Sequence, residues 1–248
     1  MSEVLVLCYH AISPTWAAPL ALSPDLLERQ MTLLVRQGWR ATTFRDAVRE
    51  PPAPKTLAVT FDDAFASVYE HAYPILSSLG VPATVFAPTS FMSERQPLRW
   101  TGIDHWLQTD SAPELRGMSW EDLGRLQDAG WEVGSHTRTH PRLTNLDDDA
   151  MRDELAESRH EIATNLSSPC ETVAYPYGDV DERVAGAAQK AGYLAGAALA
   201  SNLRALGPQR WPRVGIYNGD QMWRFRLKIS GSTRRVRASR FWRIATAR

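Results

Sequence analysis

Short apolar segments alternate with helical patterns along most of the chain, and this alternation restricts the fold more than any other sequence feature. The strand-like segments lie at 4–9, 40–44, 56–61, 83–87, 131–134 and 172–175. Helical patterns stand between them, for example at 68–79 and 147–166. Strands that alternate with helices predict a parallel sheet covered by helices, which is an α/β fold. With 248 residues, of which 44% are hydrophobic, the chain can bury one substantial core.

Helix boundaries are marked by residues with strong end preferences. Ser23 is a predicted N-cap, Pro24 suits the first helical position, and Gly38 predicts the end of that helix. The segment 147–166 begins with acidic residues, which complement the positive end of the helix dipole. The sequence therefore predicts helices that begin near 24 and 148.

Chemistry-bearing side chains follow two of the predicted strands. Asp62 and Asp63 come directly after the segment 56–61, and His136 and His140 follow the segment 131–134. The carboxyl ends of parallel strands meet at one face of an α/β fold, where active sites are built. One carboxylate and two imidazoles can hold a divalent ion and leave a position open for water. An acidic pair or a histidine pair alone is as often a cap or a surface feature, but their joint position favours a hydrolytic site.

Three segments carry a resemblance to a known family. They are residues 60–63 (Thr-Phe-Asp-Asp), 135–141 (Ser-His-Thr-Arg-Thr-His-Pro) and 174–178 (Ala-Tyr-Pro-Tyr-Gly). In order and spacing they resemble the first three motifs of the NodB-type polysaccharide deacetylases, carbohydrate esterase family 4. The resemblance covers about residues 4–216 and implies an irregular (β/α) barrel of about seven parallel strands. We expect a catalytic domain at 1–220 and a basic tail at 221–248.

The resemblance also implies a reaction and a role for each motif residue. Asp63, His136 and His140 would bind a divalent metal, with zinc expected from the mixed nitrogen and oxygen ligands. Asp62 would act as the general base, and the backbone N–H of Tyr177 would stabilise the oxyanion. The implied activity is removal of N-acetyl groups from amino sugars of a glycan or glycoconjugate, with release of acetate.

The sequence departs from the usual family pattern in two places. No histidine follows His160, although the family commonly has a late histidine that protonates the leaving amine. His10 follows the first strand in a Tyr-His segment like that of a rearranged branch, and the first and last strands of a barrel are neighbours. We therefore predict that His10 is the acid. Ala174 stands where many members have an arginine, and we predict that Arg213 supplies the missing charge to Asp62.

Alternative functions remain open at this point. Two histidines and one carboxylate also bind iron in non-haem oxygenases, although those commonly have an all-β jelly roll. A deacetylase-like scaffold that binds glycan without cleaving it is a second alternative, and hydrolysis of a non-sugar linear amide is a third. An aromatic-rich stretch at 99–106 could face sugar rings or cap the core. Loops at 14–22 and 90–119 are expected to set specificity.

The charge distribution is uneven although the net charge is zero. No acidic residue follows Asp220, whereas nine basic residues do: Arg224, Arg226, Lys228, Arg234, Arg235, Arg237, Arg240, Arg243 and Arg248. Apolar residues alternate at 223–229, which favours an edge strand. We expect this tail to contact an anionic membrane or a lipid-linked glycan, and we expect no nucleic-acid partner. The first residues lack a basic signal-peptide region, so the expected location is cytoplasmic, or peripheral to the inner membrane surface.

Overall fold

A computed structural model describes residues 3–93, 97–199, 203 and 205–239. The strands are β1 (Glu3–Tyr9), β2 (Ala11–Ile12), β3 (Ala21–Leu22), β4 (Arg40–Thr42), β5 (Lys55–Phe61), β6 (Ala83–Ala87), β7 (Glu132–Ser135), β8 (Thr172–Ala174), β9 (Ala195–Ala198), β10 (Trp211–Pro212) and β11 (Val214–Gly215). The α-helices are α1 (Pro24–Arg36), α2 (Phe44–Arg49), α3 (Tyr73–Ser78), α4 (Trp120–Asp128), α5 (Asp148–Leu166), α6 (Glu182–Lys190), α7 (Met222–Ile229) and α8 (Gly231–Arg237).

The main sheet is parallel and nearly closes into a barrel. Its strand order is β10-β9-β8-β7-β6-β5-β1-β11, and β4 pairs with the first half of β5 while β6 pairs with the second half. The strands β10 and β11 are consecutive pieces of one segment, 211–215, which we call the closing segment. Its first half pairs with β9 and its second half pairs with β1. Counting the closing segment once, the ring has seven strand positions, which confirms the predicted barrel.

Alternate residues of the strands face opposite sides of the sheet, and both sides are buried. Leu5 and Leu7 of β1 belong to the large cluster that packs under the helices, whereas Val6 belongs to a smaller cluster that contains Phe86 and Ala174. We assign the smaller cluster to the barrel interior because side chains alternate along a strand. Interior space is tight: a Cβ on Gly134 would lie 2.6 Å from the Phe86 ring.

The predicted helix boundaries are confirmed by the capping contacts. The Ser23 hydroxyl accepts a hydrogen bond from the N–H of Leu26, and Gly38 has a φ of 81° just beyond the end of α1. The Asp147 carboxylate accepts from the N–H of Ala150 at the start of α5. One predicted strand is shorter than expected, since β4 ends at Thr42 and Thr43 caps α2.

The edge strand expected at 223–229 is wrong, because this segment is helix α7. Phe225 and Ile229, four residues apart, are buried, and Trp223 and Leu227 are exposed. The apolar pattern fits the two-residue repeat of a strand and also the four-residue spacing of a helix. The burial of Phe225 and Ile229, four residues apart, shows that the helical spacing faces the core. Among the described residues, no helix is long and apolar enough to cross a membrane. The boundary at residue 220 stays a prediction, and residues 240–248 of the expected tail lie outside the described residues.

Candidate active site

Three predicted ligands meet where β5 and β7 end. Asp63 follows β5 by two residues, His136 follows β7 directly, and all three side chains are buried. The Nε2 atoms of His136 and His140 each lie 3.3 Å from Oδ1 of Asp63. The potential ligand atoms of Asp63, His136 and His140 all lie within 4.8 Å of one another.

The donor atoms of this triad suit a divalent cation. Oδ1 of Asp63 is buried and makes no hydrogen bond to any described group. Nδ1 of His136 lies 2.8 Å from the carbonyl oxygen of Ala174 and donates to it, so Nε2 is left as the lone-pair nitrogen. A carboxylate oxygen and imidazole nitrogens that converge without a shared hydrogen bond are the arrangement that zinc-type ions occupy.

The charges of the triad are set by competition between burial and neighbours. Burial raises the pKa of Asp63, but contacts with His136 and His140 outweigh it and the pKa lies below its usual value. Burial lowers the pKa of His140 below its usual value. Burial also lowers the pKa of His136, but the negative charges of Asp62 and Asp63 raise it by more than burial lowers it, so the net shift is upward. Below this raised pKa, metal binding would have to displace a proton from His136.

Backbone strain is concentrated at the site. Within the described part of the chain, six residues other than glycine have positive φ angles: Asp63, Ala64, Thr137, His140, Ser167 and Tyr177. All except Ser167 belong to the turns that carry the site. The Thr137 hydroxyl accepts from the N–H of His140, and the Ser135 hydroxyl accepts from the N–H of Thr137, so the strained turn is held by its own side chains. Strain of this kind is retained where geometry serves a function.

Asp62 faces Arg213 of the closing segment, as the sequence analysis predicted. The guanidinium donates to both carboxylate oxygens, with distances of 2.6 and 2.8 Å, and also to the Thr60 hydroxyl at 3.0 Å. Arg213 is 0% exposed. Burial raises the pKa of Asp62, but Arg213 and the nearby histidines lower it to about 2. The carboxylate is therefore ionised at neutral pH and fixed in orientation. The catalytic role of Arg213 stays a prediction.

Cys8 contacts the same carboxylate, and sequence analysis did not assign it to the site. Its sulfur lies 3.4 Å from Oδ2 of Asp62. Burial raises the pKa of the Cys8 thiol well above its usual range, so the S–H group remains protonated and donates to the carboxylate. The available signal was positional: Cys8 pairs with Thr60 on the neighbouring strand, two residues before Asp62.

The structure brings His10 to this site from the end of β1. His10 and Asp62 offer potential ligand atoms within 4.8 Å of each other, and the His10 ring stacks on Tyr217 at 6.2 Å. Its Nδ1 atom is buried and makes no hydrogen bond to the described residues. His10 reaches Asp62 because β1 pairs with β5, the strand that precedes Asp62. Its assignment as the acid stays a prediction.

Tyr177 lies on the other side of the triad. Its ring centroid is 4.8 Å from that of His140, and the Arg142 guanidinium lies 4.1 Å above the ring. The hydroxyl donates to the carbonyl oxygen of Thr101. These contacts hold Tyr177 with a φ of 60°, and the oxyanion role of its N–H group stays a prediction.

Aromatic rings wall the cavity in which these groups meet. The cavity has a volume of about 560 Å³ and is lined by Asp62, Asp63, both ligand histidines, His10 and Tyr177, together with Trp16, Trp100, Trp106 and Tyr217. Trp100 stacks on His140 at 4.0 Å, and Nδ1 of His140 has no hydrogen-bond partner in the described structure. Packing against Trp100 therefore orients this ligand. Both expected specificity loops reach the cavity, and its tryptophans also pack against the core.

Comparison with known proteins identifies the same family that the sequence motifs resemble. The family model for polysaccharide deacetylase matches residues 49–196, more than half of the chain. The YxkH protein of Bacillus subtilis (strain 168) is 25% identical over 200 residues, which are 79% of this chain and 64% of that protein. The poly-beta-1,6-N-acetyl-D-glucosamine N-deacetylase of Staphylococcus aureus (strain MSSA476) is 28% identical over 58% of this chain. The chain spans 48% of that relative's length.

Solved structures share the fold at low sequence identity. The Streptococcus pyogenes deacetylase PplD, solved with acetate, has a TM-score of 0.77 and 21% identity, over 92% of this chain and 98% of that one. A polysaccharide deacetylase from Bacillus cereus has a TM-score of 0.76 and 22% identity, over 92% of this chain and 69% of that one. The barrel disfavours the jelly-roll oxygenase alternative. The matched family model and the shared fold show that this chain belongs to the polysaccharide deacetylase family.

Proposed function

We propose that this protein hydrolyses N-acetyl groups on amino sugars of a glycan or glycoconjugate and releases acetate. One observation carries the proposal: three potential metal ligands, the ionised Asp62 carboxylate and His10, whose Nδ1 has no hydrogen-bond partner among the described residues, line one cavity. The Staphylococcus aureus relative is named for removing acetyl groups from poly-N-acetylglucosamine, which supports the substrate class. A lipid-linked glycan belongs to the same class and is included in the proposal.

Asp63, His136 and His140 would hold the metal, and zinc fits their mixed donor set. When bound, such an ion acts as a Lewis acid that polarises an acetyl carbonyl and makes water more acidic. Asp63 is ionised without it, and His136 presents Nε2 because Nδ1 is committed to Ala174. The protein therefore ionises Asp63 and orients His136 before any ion arrives.

Asp62 would receive the proton from the attacking water. Arg213 fixes both of its oxygens, so the carboxylate has one orientation and remains ionised. The new bond joins the water oxygen to the acetyl carbon, and the bond between that carbon and the amide nitrogen breaks. His10 gives a proton to the departing nitrogen, which leaves as the amino group of the sugar, and acetate is the second product.

The experiment is an acetate-release assay on N-acetylated amino sugars that are free, oligomeric or lipid-linked. Metal-loaded wild-type protein is compared with Asp62→Asn and His10→Ala, and His160→Ala is the matched control. His160 is an exposed residue of α5 and does not line the cavity. We expect both site variants to lose at least about 100-fold in rate while the control keeps most of it.

The outcomes separate the alternatives. Glycan binding without acetate release, unchanged in Asp62→Asn, would indicate a non-catalytic scaffold. Release from an acyclic N-acetylated amine but from no sugar would indicate a non-sugar amide hydrolase. Activity of Asp62→Asn equal to wild type would overturn the assigned base.

A further inference from the structure

Helix α7 presents an unusual pair of side chains to solvent. Trp223 is 69% exposed and Leu227 is 55% exposed, whereas Phe225 and Ile229 on the opposite side are buried. Residues four apart on a helix lie about 40° from each other around the axis. On the same geometry Arg226 lies about 60° to one side of Trp223 and Arg224 about 100° to the other. The solvent face of α7 is therefore an apolar stripe flanked by arginines, and we call it the Trp223 face.

Carboxylates contribute little to this surface. Asp220 is the last acidic residue of the chain and is 1% exposed. Lys228 and Arg224 contact its carboxylate, so its charge is neutralised beneath the helix. Arg226 and Arg235 contact no carboxylate within the part of the chain that the structure describes. Val236 of α8 is also 55% exposed, and it stands between Arg235 and Arg237 in the sequence.

We propose that the Trp223 face docks on the surface of an anionic lipid bilayer. A tryptophan and a leucine on the outer face of a helix, with arginines beside them, are the composition of helices that lie in the headgroup region. Trp inserts at the level of the headgroups, and arginines attract anionic lipids and bind their phosphates. The arginines complement the negative charge of an anionic bilayer. The apolar stripe fits a surface into which the Trp223 indole can insert.

The start of helix α7, which carries Trp223, is connected to the wall of the active-site cavity. The Asp220 carboxylate, which precedes α7, accepts from the N–H of Tyr217 at 2.9 Å, and Tyr217 lines the cavity and stacks on His10. Lys228 of α7 donates to the carbonyl oxygen of Gly215 in the closing segment. Docking through Trp223 would therefore bring the Tyr217 side of the cavity wall toward the lipid headgroups. This consequence for a lipid-linked glycan rests on the proposed function, whereas docking itself does not.

Binding of the full-length protein to vesicles tests the proposal. Phosphatidylcholine vesicles are compared with vesicles that also contain phosphatidylserine, by co-sedimentation at low and high salt. We expect binding to the anionic vesicles alone, weakened by salt. Arg226→Ala should weaken binding about fivefold, and the double variant Trp223→Ser, Leu227→Ser should weaken it further. Leu194→Ser, at another exposed leucine, and Arg152→Ala are the matched controls and should bind as wild type.

Several results would overturn the proposal. Equal binding of wild type and Arg226→Ala, or equal binding to neutral and anionic vesicles, would remove the anionic bilayer as the partner. A dimer in analytical ultracentrifugation that the Trp223→Ser substitution dissociates would assign the face to a second copy of this chain. Acetate release from a soluble substrate should be unchanged in the α7 variants, so failure of docking and failure of the proposed reaction are separable. Circular dichroism of each variant shows whether the fold is retained.

Discussion

Replacing Arg213 with methionine keeps an unbranched side chain inside the barrel but removes both hydrogen bonds to Asp62. The carboxylate would then be a buried charge without a cation to compensate it. Removing one partner of a buried ion pair costs about 3–5 kcal/mol of stability. The pKa of Asp62 gives a second measure, since a shift from 3.8 to about 2 stabilises the folded state by about 2 kcal/mol.

The pH dependence of this stabilisation has a defined sign. A carboxyl group with a lowered folded-state pKa contributes stability that is complete above the unfolded pKa of 3.8 and is lost as the pH falls through about 2. In Arg213→Met, burial dominates and raises the pKa of Asp62 above 3.8. The stability deficit of the variant should therefore shrink as the pH falls from 7 toward 5, because protonation relieves the buried charge.

Urea denaturation of chelator-treated protein measures the effect without a contribution from bound metal. Arg152→Met is the matched control, because Arg152 pairs with Asp149 on the surface and is 63% exposed. The control should lose at most about 0.5 kcal/mol. The double variant Arg213→Met, Asp62→Asn should recover most of the loss, since it removes the buried charge. A loss below about 1 kcal/mol in Arg213→Met at pH 7 would refute the reasoning, given the 3–5 kcal/mol expected.

Three further predictions concern the site. Trp100→Leu should weaken zinc binding at least about tenfold, because the stacked indole orients His140, which has no other support at Nδ1. Trp106→Leu, in the same loop, is the control, and chelator competition that finds equal affinities would contradict the role of Trp100. His10→Gln should lower kcat at least about 100-fold with metal content unchanged, and a matching fall in metal content would instead mean that His10 supports the ligands. Zinc affinity should fall about tenfold per pH unit once His136 protonates, and its raised pKa places this loss at a higher pH than for an ordinary histidine. Calorimetric titrations that give constant affinity from pH 8 to 6 would contradict this assignment.

The strand ends and the site residues beside them could be predicted because each is a local pattern. The predicted strands end at residues 61 and 134, and the polar residues that follow must emerge on one face of a parallel barrel. The position of His10 required a topological step, since it depends on β1 being adjacent to β5. The prediction for Arg213 rests on the absence of an arginine at position 174, and the guanidinium lies 2.6 Å from the Asp62 carboxylate.

Other features depend on tertiary packing that a linear pattern does not carry. The sequence predicts a strand where helix α7 lies. Apolar residues at every second position fit a strand, but they also include pairs four residues apart, which fit a helix. Cys8 contacts Asp62 because β1 pairs with β5 and Cys8 stands opposite Thr60, two residues before Asp62. The stacking of Trp100 on His140 joins a loop to a turn that the sequence separates by forty residues.

The closing segment has a consequence for synthesis of the protein. A chain emerges from the ribosome N-terminus first, so β1, Asp62 and both ligand histidines are available well before residue 213. Until then the ring of strands has an open edge between β1 and β9, and Asp62 lacks its cation. The same five residues that seal the ring bring that cation. We therefore expect nascent chains, and truncated products that end before Arg213, to lack the ion pair that orients Asp62.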